Sequence, residues 1–219
     1  MKPPGTKRPH LAYGARLALV NVALAAGLLA APVGAAEPKT LLLLGDSLTA
    51  GYGLPAEDGF AAQLETALEA DGMQVRVINA GVSGDTTSGG LARLDWALGD
   101  DPDAVVVELG ANDGLRGIDP AITKANLDTM LTKLAAKEVP TLFNGMLAPP
   151  NLGREYGAEF NRLFPDLAER HGVAFYPFFL DGVAARPDLN QADGIHPNAD
   201  GVAIIVARIL PHVKRLLAP

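Results

Sequence analysis

The 219-residue chain has no cysteine, which excludes disulfides, a lipoprotein anchor and a thiolate-bound metal. It carries 18 Lys+Arg against 25 Asp+Glu; without residues 1–36, which hold four of the basic residues and no acid, the balance is 14 against 25 and the net charge −11. A surface of that sign repels nucleic acid and anionic membranes at long range.

Residues 1–36 read as a secretory signal peptide. Lys2, Lys7, Arg8 and Arg16 precede a short apolar run from Leu17 to Leu29, and Val33-Gly34-Ala35-Ala36 offers small residues for cleavage. The apolar run is short for a membrane span, although an uncleaved anchor is the alternative. Lys7-Arg8 is not a twin arginine, so general secretion is expected, with a periplasmic or secreted product and no stable membrane anchor after cleavage. Residues 37–219 are expected to form a single domain, long enough for a full core.

Leu41-Leu42-Leu43-Leu44 predicts a strand over about 39–45 that is covered on both faces. Helix one is expected over about 57–70, with Phe60, Leu64 and Leu68 at helical spacing and Gly72 just beyond. Strand two follows at 75–79, helix two at 90–98 and strand three at 104–109. Helix three is expected from about 120 to 137, strand four at 141–143, helix four over about 154–171 and a short strand at 173–175. The last helix, from about 198, presents Val202, Ile205, Val206, Ile209, Val213 and Leu216, with Pro211 as an expected kink. This alternation implies a parallel sheet with helices on both faces.

Polar turns punctuate the strand ends. Gly45-Asp46-Ser47-Leu48 follows strand one, Ser83-Gly84-Asp85 lies beyond strand two, and Gly110-Ala111-Asn112-Asp113-Gly114 follows strand three. Asp193-Gly194-Ile195-His196-Pro197-Asn198 comes late in the chain. In open α/β sheets, ligands bind at the carboxyl edge of the strands. Each turn supplies a part that acyl transfer needs. Ser47 is a candidate nucleophile. His196 is a candidate base, and Asp193, three residues earlier, can orient its imidazole. The Ser47 N–H, the Gly84 N–H and the Asn112 amide are candidate donors to an oxyanion. Taken singly, each turn has a plainer reading. Asp46 and Ser47 suit a helix cap, Gly-Ala-Asn-Asp-Gly suits a turn, and Asp-x-x-His suits a surface pair. The case for catalysis rests on all four together.

Those blocks, in this order, resemble the SGNH or GDSL hydrolases, within them the secreted thioesterase I, lysophospholipase and arylesterase group. Gly45-Asp46-Ser47-Leu48 matches the nucleophile block, and Ser83-Gly84-Asp85 with Leu91-Ala92-Arg93-Leu94 the second. Gly110-Ala111-Asn112-Asp113-Gly114-Leu115-Arg116-Gly117 matches the third and Asp193-Gly194-Ile195-His196-Pro197-Asn198 the last. The resemblance spans the mature chain. It implies a flavodoxin-like three-layer αβα sandwich around a parallel five-stranded sheet, with no cofactor and no metal. It also implies catalytic Ser47, Asp193 and His196, an oxyanion hole of Ser47, Gly84 and Asn112, and hydrolysis of small-molecule acyl, aryl or thioesters through an acyl-serine. A carbohydrate O-acetyl esterase is the alternative on the same fold. The expected substrate contacts are Asp113, Gly114, Leu115, Leu147 and Pro149, from the loops after strands three and four. No nucleic-acid partner is expected, and the chain is expected to be a monomer.

Rival readings are weaker. Gly81-Val82-Ser83-Gly84-Asp85 falls one residue short of a Gly-x-Ser-x-Gly elbow, so Ser83 is expected to shape the turn that presents Gly84. Gly51-Tyr52-Gly53-Leu54-Pro55-Ala56 fits a dinucleotide fingerprint only formally, since Pro55 interrupts it and strand two ends in Asn79 rather than an acid. No His pair stands at metal-ligand spacing. Thr49 and Thr86 are expected as caps, His171 at a helix end, and His212 on the polar side of the last helix.

Overall fold

Four leucines in succession have no polar face to offer solvent, so the strand they form is stable only between two layers. In the computed structural model, which describes residues 1, 2, 5 and 38–218, Leu41 to Leu44 are at most 1% exposed. They lie in β1 (Lys39–Gly45), an interior strand, second in a five-stranded sheet ordered β2-β1-β3-β4-β5. The other strands are β2 (Val75–Gly81), β3 (Ala104–Glu108), β4 (Thr141–Asn144) and β5 (Ala174–Tyr176). Every pairing is parallel. Parallel neighbours need crossover connections, and helices supply them. Each fully buried leucine contributes about 1.5–3 kcal/mol, and β1 and β3 together form the apolar floor of the molecule.

The helices are α1 (Ser47–Ala50), α2 (Phe60–Ala70), α3 (Thr87–Ala97), α4 (Ala111–Leu115), α5 (Pro120–Ala136), α6 (Arg154–His171) and α7 (Ala199–Leu217). They make two layers: α2 packs on α7, while α5 packs on both α3 and α6. The apolar stripes explain the arrangement. Phe60, Leu64 and Leu68 of α2 are buried, as are Phe160, Leu163, Phe164 and Leu167 of α6. Val202, Ile205, Val206, Ile209 and Val213 of α7 repeat the same three-and-four spacing.

The three-layer fold expected from the sequence is present, with differences at element ends. The first expected helix is split: a 3₁₀ turn at Ala56–Asp58 is followed by extended Gly59, and α2 starts at Phe60. α3 begins three residues earlier than expected, after the extended Thr86. Gly90, the expected first residue, lies inside the helix and serves close packing, since a Cβ there would stand 2.3 Å from Leu109 Cδ1. β2 runs two residues further, to Gly81, because its ladder with β1 continues to the Gly45–Gly81 pair. α7 continues through Pro211 to Leu217. The expected signal peptide lies outside the described residues apart from residues 1, 2 and 5. Among the described residues no helix is long and apolar enough to cross a membrane.

Candidate active site

The sheet order reverses direction between β1 and β3: β2 lies on the outer side of β1, while β4 and β5 follow β3. Crossovers leave β1 and β3 toward opposite faces, which opens a crevice at their carboxyl ends. Asp46, Ser47 and Leu48 follow β1 there, and Gly110, Ala111 and Asn112 follow β3.

Ser47 is the first residue of α1, capped by the Asp46 carboxylate, whose Oδ1 accepts the Leu48 N–H at 3.0 Å. The cap reading and the nucleophile reading therefore coexist in adjacent residues. Gly45 has no room for a side chain: a Cβ would lie 2.0 Å from Thr49 Oγ1 and 2.7 Å from Glu108 Oε2. The bend that presents Ser47 thus sits directly on a buried polar group. Arg93 holds the turn from the other side, with Nη2 donating to Gly45 O at 2.8 Å and Nη1 to Ala80 O at 2.7 Å. Its Nε donates to Asp85 at 2.7 Å within the second sequence block, so the bond to Gly45 O ties that block to the first.

His196 lies 149 residues from Ser47, on the loop between β5 and α7, yet its Nε2 is 2.9 Å from Ser47 Oγ. Its Nδ1 is 2.7 Å from Asp193 Oδ2. Asp193 Oδ1 also accepts the backbone N–H groups of Ile195, at 2.9 Å, and His196, at 3.0 Å. With Nδ1 protonated, the ring donates to Asp193 and accepts the serine hydroxyl through Nε2. The hydrogen bond from His196, then the two backbone donors, holds the Asp193 carboxyl down at about 2, so it stays ionised across the neutral range.

Asn112 lies at the same sheet edge, after β3. Its Nδ2 donates one hydrogen to Asp46 Oδ2 at 2.9 Å; the same nitrogen carries a second, and Asn112 lines the cavity beside Ser47 and His196. Sequence reasoning missed this role for Asp46. The acid is fully buried, and burial pushes its carboxyl up to about 6 against the opposing pull of the Leu48 N–H and the Asn112 amide. Behind it, Glu108 is buried as well, with Oε2 accepting the Thr49 hydroxyl at 2.7 Å. Burial first, then the Asp46 charge, holds the Glu108 carboxyl well above the carboxylate range. Thr49 is thus a buried donor to Glu108 and not the cap expected of it. Thr86 does stand at the N-cap of α3, without a side-chain cap bond.

Gly84 sits in the turn after β2 at φ +84°, in the left-handed region that favours glycine. Its carbonyl accepts Arg116 Nη2 at 2.7 Å, which links the second block to the third. Ser83 is exposed in the same turn.

A cavity of about 450 Å³ opens beside Ser47, Asn112 and His196. Leu115, Leu147 and Pro149 line it as expected; Asp113 and Gly114 do not. Asp113 is fully buried, and its carboxylate accepts the Thr87 N–H at 2.8 Å, the Thr87 hydroxyl at 2.5 Å and the Thr123 hydroxyl at 3.1 Å. It pins α3, α4 and α5 together. Gly114 is buried too, and a Cβ there would press on Phe160 and Pro149, each at 3.3 Å. The far wall, from Phe178, Leu180, Ala184, Ala185 and Ile195, was not foreseen. Those residues lie in the irregular stretch after β5, which has no periodicity to place them.

The other histidines stand apart. His171 Nε2 is 2.7 Å from Asp128 Oδ1 at the end of α6. His212 is half-buried with its ring edge-on to Tyr176 at 5.1 Å, and burial, then the nearby Arg215 charge, lowers its pKa. Among the described residues no group of three His, Asp or Glu side chains could hold a metal ion.

Residues 43–204 match the GDSL-like Lipase/Acylhydrolase family. Esterase TesA of Pseudomonas aeruginosa is 42% identical over 183 residues, covering 83% of this chain and 91% of its own. An arylesterase of Vibrio mimicus is 43% identical over 182 residues, covering 81% and 90%. Thioesterase 1/protease 1/lysophospholipase L1 of Escherichia coli is 41% identical over 172 residues, covering 78% and 81%. Among solved structures, TesA superposes with a TM-score of 0.78 at 42% identity, over 82% of this chain and all of the other. AlinE4, an SGNH-hydrolase family esterase, superposes with a TM-score of 0.71 at 46% identity, over 84% and 100%. The chain belongs to the GDSL-like lipase/acylhydrolase family, has the SGNH hydrolase fold and is an ester-hydrolysing enzyme.

Proposed function

We propose that this enzyme is an exported serine esterase that cleaves acyl, aryl and thioesters with apolar acyl groups, using Ser47 as nucleophile, His196 as base and Asp193 to orient the base. The observation that carries the reading is the unbroken line Ser47 Oγ–His196 Nε2 at 2.9 Å and His196 Nδ1–Asp193 Oδ2 at 2.7 Å at the mouth of an apolar cavity. Ser47 Oγ attacks the ester carbonyl carbon while its proton passes to Nε2. The oxygen that gains the negative charge is met by the Ser47 and Gly84 N–H groups and by the second Asn112 Nδ2 hydrogen. Collapse expels the alcohol or thiol, which takes the proton from His196, and leaves an acyl-serine. Water, deprotonated by the same histidine, then releases the acid.

The lining favours hydrocarbon. Leu115, Met146, Leu147, Pro149 and Leu180 line the cavity that Ser47 also lines, and burying each methylene contributes about 0.8 kcal/mol. An acetylated carbohydrate would leave its hydroxyls without partners there. Export is supported by the basic, apolar and small-residue order of residues 1–36. A panel of chromogenic esters of rising acyl length tests the substrate class. The expected result is kcat/KM rising from acetyl to medium chains. Exclusive turnover of acetyl esters would instead support the O-acetyl esterase alternative.

A further inference from the structure

The proposed mechanism needs two loops from opposite ends of the chain to stay in register, and the Ser47–His196 hydrogen bond cannot itself hold them. That bond breaks and re-forms at each proton transfer. Among the described residues, one other hydrogen bond joins residues 46–59 to the loop carrying His196, and a ring contact lies beside it. The ring contact is Tyr52 on His196, with centroids 4.7 Å apart, and Tyr52 is half exposed. The hydrogen bond runs from Gln191 Nε2 to Tyr52 O at 2.7 Å, across 139 residues of sequence.

Gln191 is also bound firmly on its own side. Its second Nε2 hydrogen goes to Pro197 O at 3.0 Å, and its backbone N–H donates to His196 O at 2.7 Å. Its carbonyl accepts the Gly194 N–H at 2.9 Å. The side chain thus sits on the histidine loop and spends both amide hydrogens on backbone carbonyls, one from each loop. The partner segment makes room for it. Gly53, at φ +76°, would place a Cβ 2.2 Å from Gln191 Oε1, so only glycine leaves this path open.

We propose that Gln191 is a positioning residue: by tying Tyr52 O to the His196–Pro197 backbone it sets the distance and angle at which His196 meets Ser47. The inference rests on the proposed roles of those two residues. Gln191 touches neither substrate nor the reacting atoms. Gln63 provides the internal control, because it makes a similar double bridge, from Asp58 O at 2.8 Å to Ala199 O at 3.1 Å, between α2 and the start of α7. That bridge bypasses the histidine loop.

The test compares Gln191→Met, which keeps length and loses both donors, with Gln63→Met. Each is measured in the otherwise unchanged enzyme and after His196→Ala. Misplacing a reacting group by about 1 Å costs about 10²-fold in rate. The expected result is therefore a loss of about 10–10² in kcat for Gln191→Met with KM within about twofold, and turnover close to the parent for Gln63→Met. In the His196→Ala background Gln191→Met should have no further effect, since a residue acting only through the histidine is silent without it. Wild-type kcat in Gln191→Met, an equal loss in Gln63→Met, or an undiminished loss in the His196→Ala background would each overturn the tether. If Gln191→Met does not fold, Gln191→Asn, one methylene short of spanning both carbonyls, is read the same way. Wild-type turnover in His196→Ala would overturn the proposed roles themselves, whereas an inactive His196→Ala beside an unimpaired Gln191→Met would overturn only the tether.

Discussion

Two aspartates flank the proposed nucleophile, and their surroundings differ as much as any two in the molecule. Asp193 stands at the surface, where His196 and two backbone N–H groups hold its carboxyl down at about 2. Asp46 is fully buried against Glu108, and burial lifts its carboxyl to about 6. Each grips one functional side chain, Asp193 the imidazole and Asp46 the Asn112 amide. The same residue type thus serves as a fixed anion outside and as a titratable one inside. Burial raises the inner carboxyl, whereas hydrogen bonds from His196 and from the Ile195 and His196 backbone lower the outer one.

The comparison is broken most severely from outside. Asp193→Ala leaves the imidazole without its orienting partner, and kcat is expected to fall by about 10³–10⁴. Steady-state kinetics with a chromogenic ester measure this, and a loss under tenfold would mean that the backbone alone orients the ring. On the inner side, Asn112→Ala is expected to cost about 10²–10³ in kcat with little change in KM. A loss confined to KM would make Asn112 a substrate contact only.

Asp46→Asn sharpens the contrast, because it keeps shape and removes the charge. The charged acceptor is replaced by a neutral one, a difference of about 1 kcal/mol and therefore about tenfold or less in kcat. Stability should move the other way. A carboxyl raised from 3.8 to about 6 on folding binds its proton more tightly in the folded chain. Stability is then fullest below about pH 4 and is lost as pH rises through about 6, with Glu108 adding in the same direction. Denaturant unfolding across that window should show the decline in the parent and a flatter curve in Asp46→Asn. A parent curve that rises over the same window would contradict the buried-acid assignment.

The smallest effect on turnover is expected from Asp113. Removing its carboxylate leaves the Thr87 N–H and the Thr87 and Thr123 hydroxyls unpaired in the interior. Asp113→Ala should cost about 3 kcal/mol of stability and leave KM unchanged, as thermal unfolding and kinetics together would show. A raised KM at unchanged stability would return Asp113 to the substrate site.

How much of this was legible depended on how local each signal was. The β1 leucines and the four polar blocks could be read because each is a run of adjacent residues whose pattern carries its own meaning. The links between blocks could not. Asn112 finds Asp46 across 66 residues, Thr49 finds Glu108 across 59 and Gln191 finds Tyr52 across 139; no periodicity encodes such pairs. Asp113 was misplaced for a related reason. It adjoins Asn112 in sequence, but on the short α4 successive residues face different ways, so one lines the cavity while the next is buried against α3 and α5. The cavity's far wall was invisible because Phe178 to Ala185 precede α7 without helix or strand.

The chain has three serines, Ser47, Ser83 and Ser88, and only Ser47 is within hydrogen-bonding distance of a histidine in the described residues. Labelling with a serine-directed phosphonate, followed by peptide mapping and kinetics, tests the central claim most directly. The account predicts a single adduct on Ser47, complete loss of esterase activity as it forms, and no adduct in Ser47→Ala. An adduct on Ser83 or Ser88 that tracks inactivation, or a fully active enzyme with Ser47 modified, would contradict it.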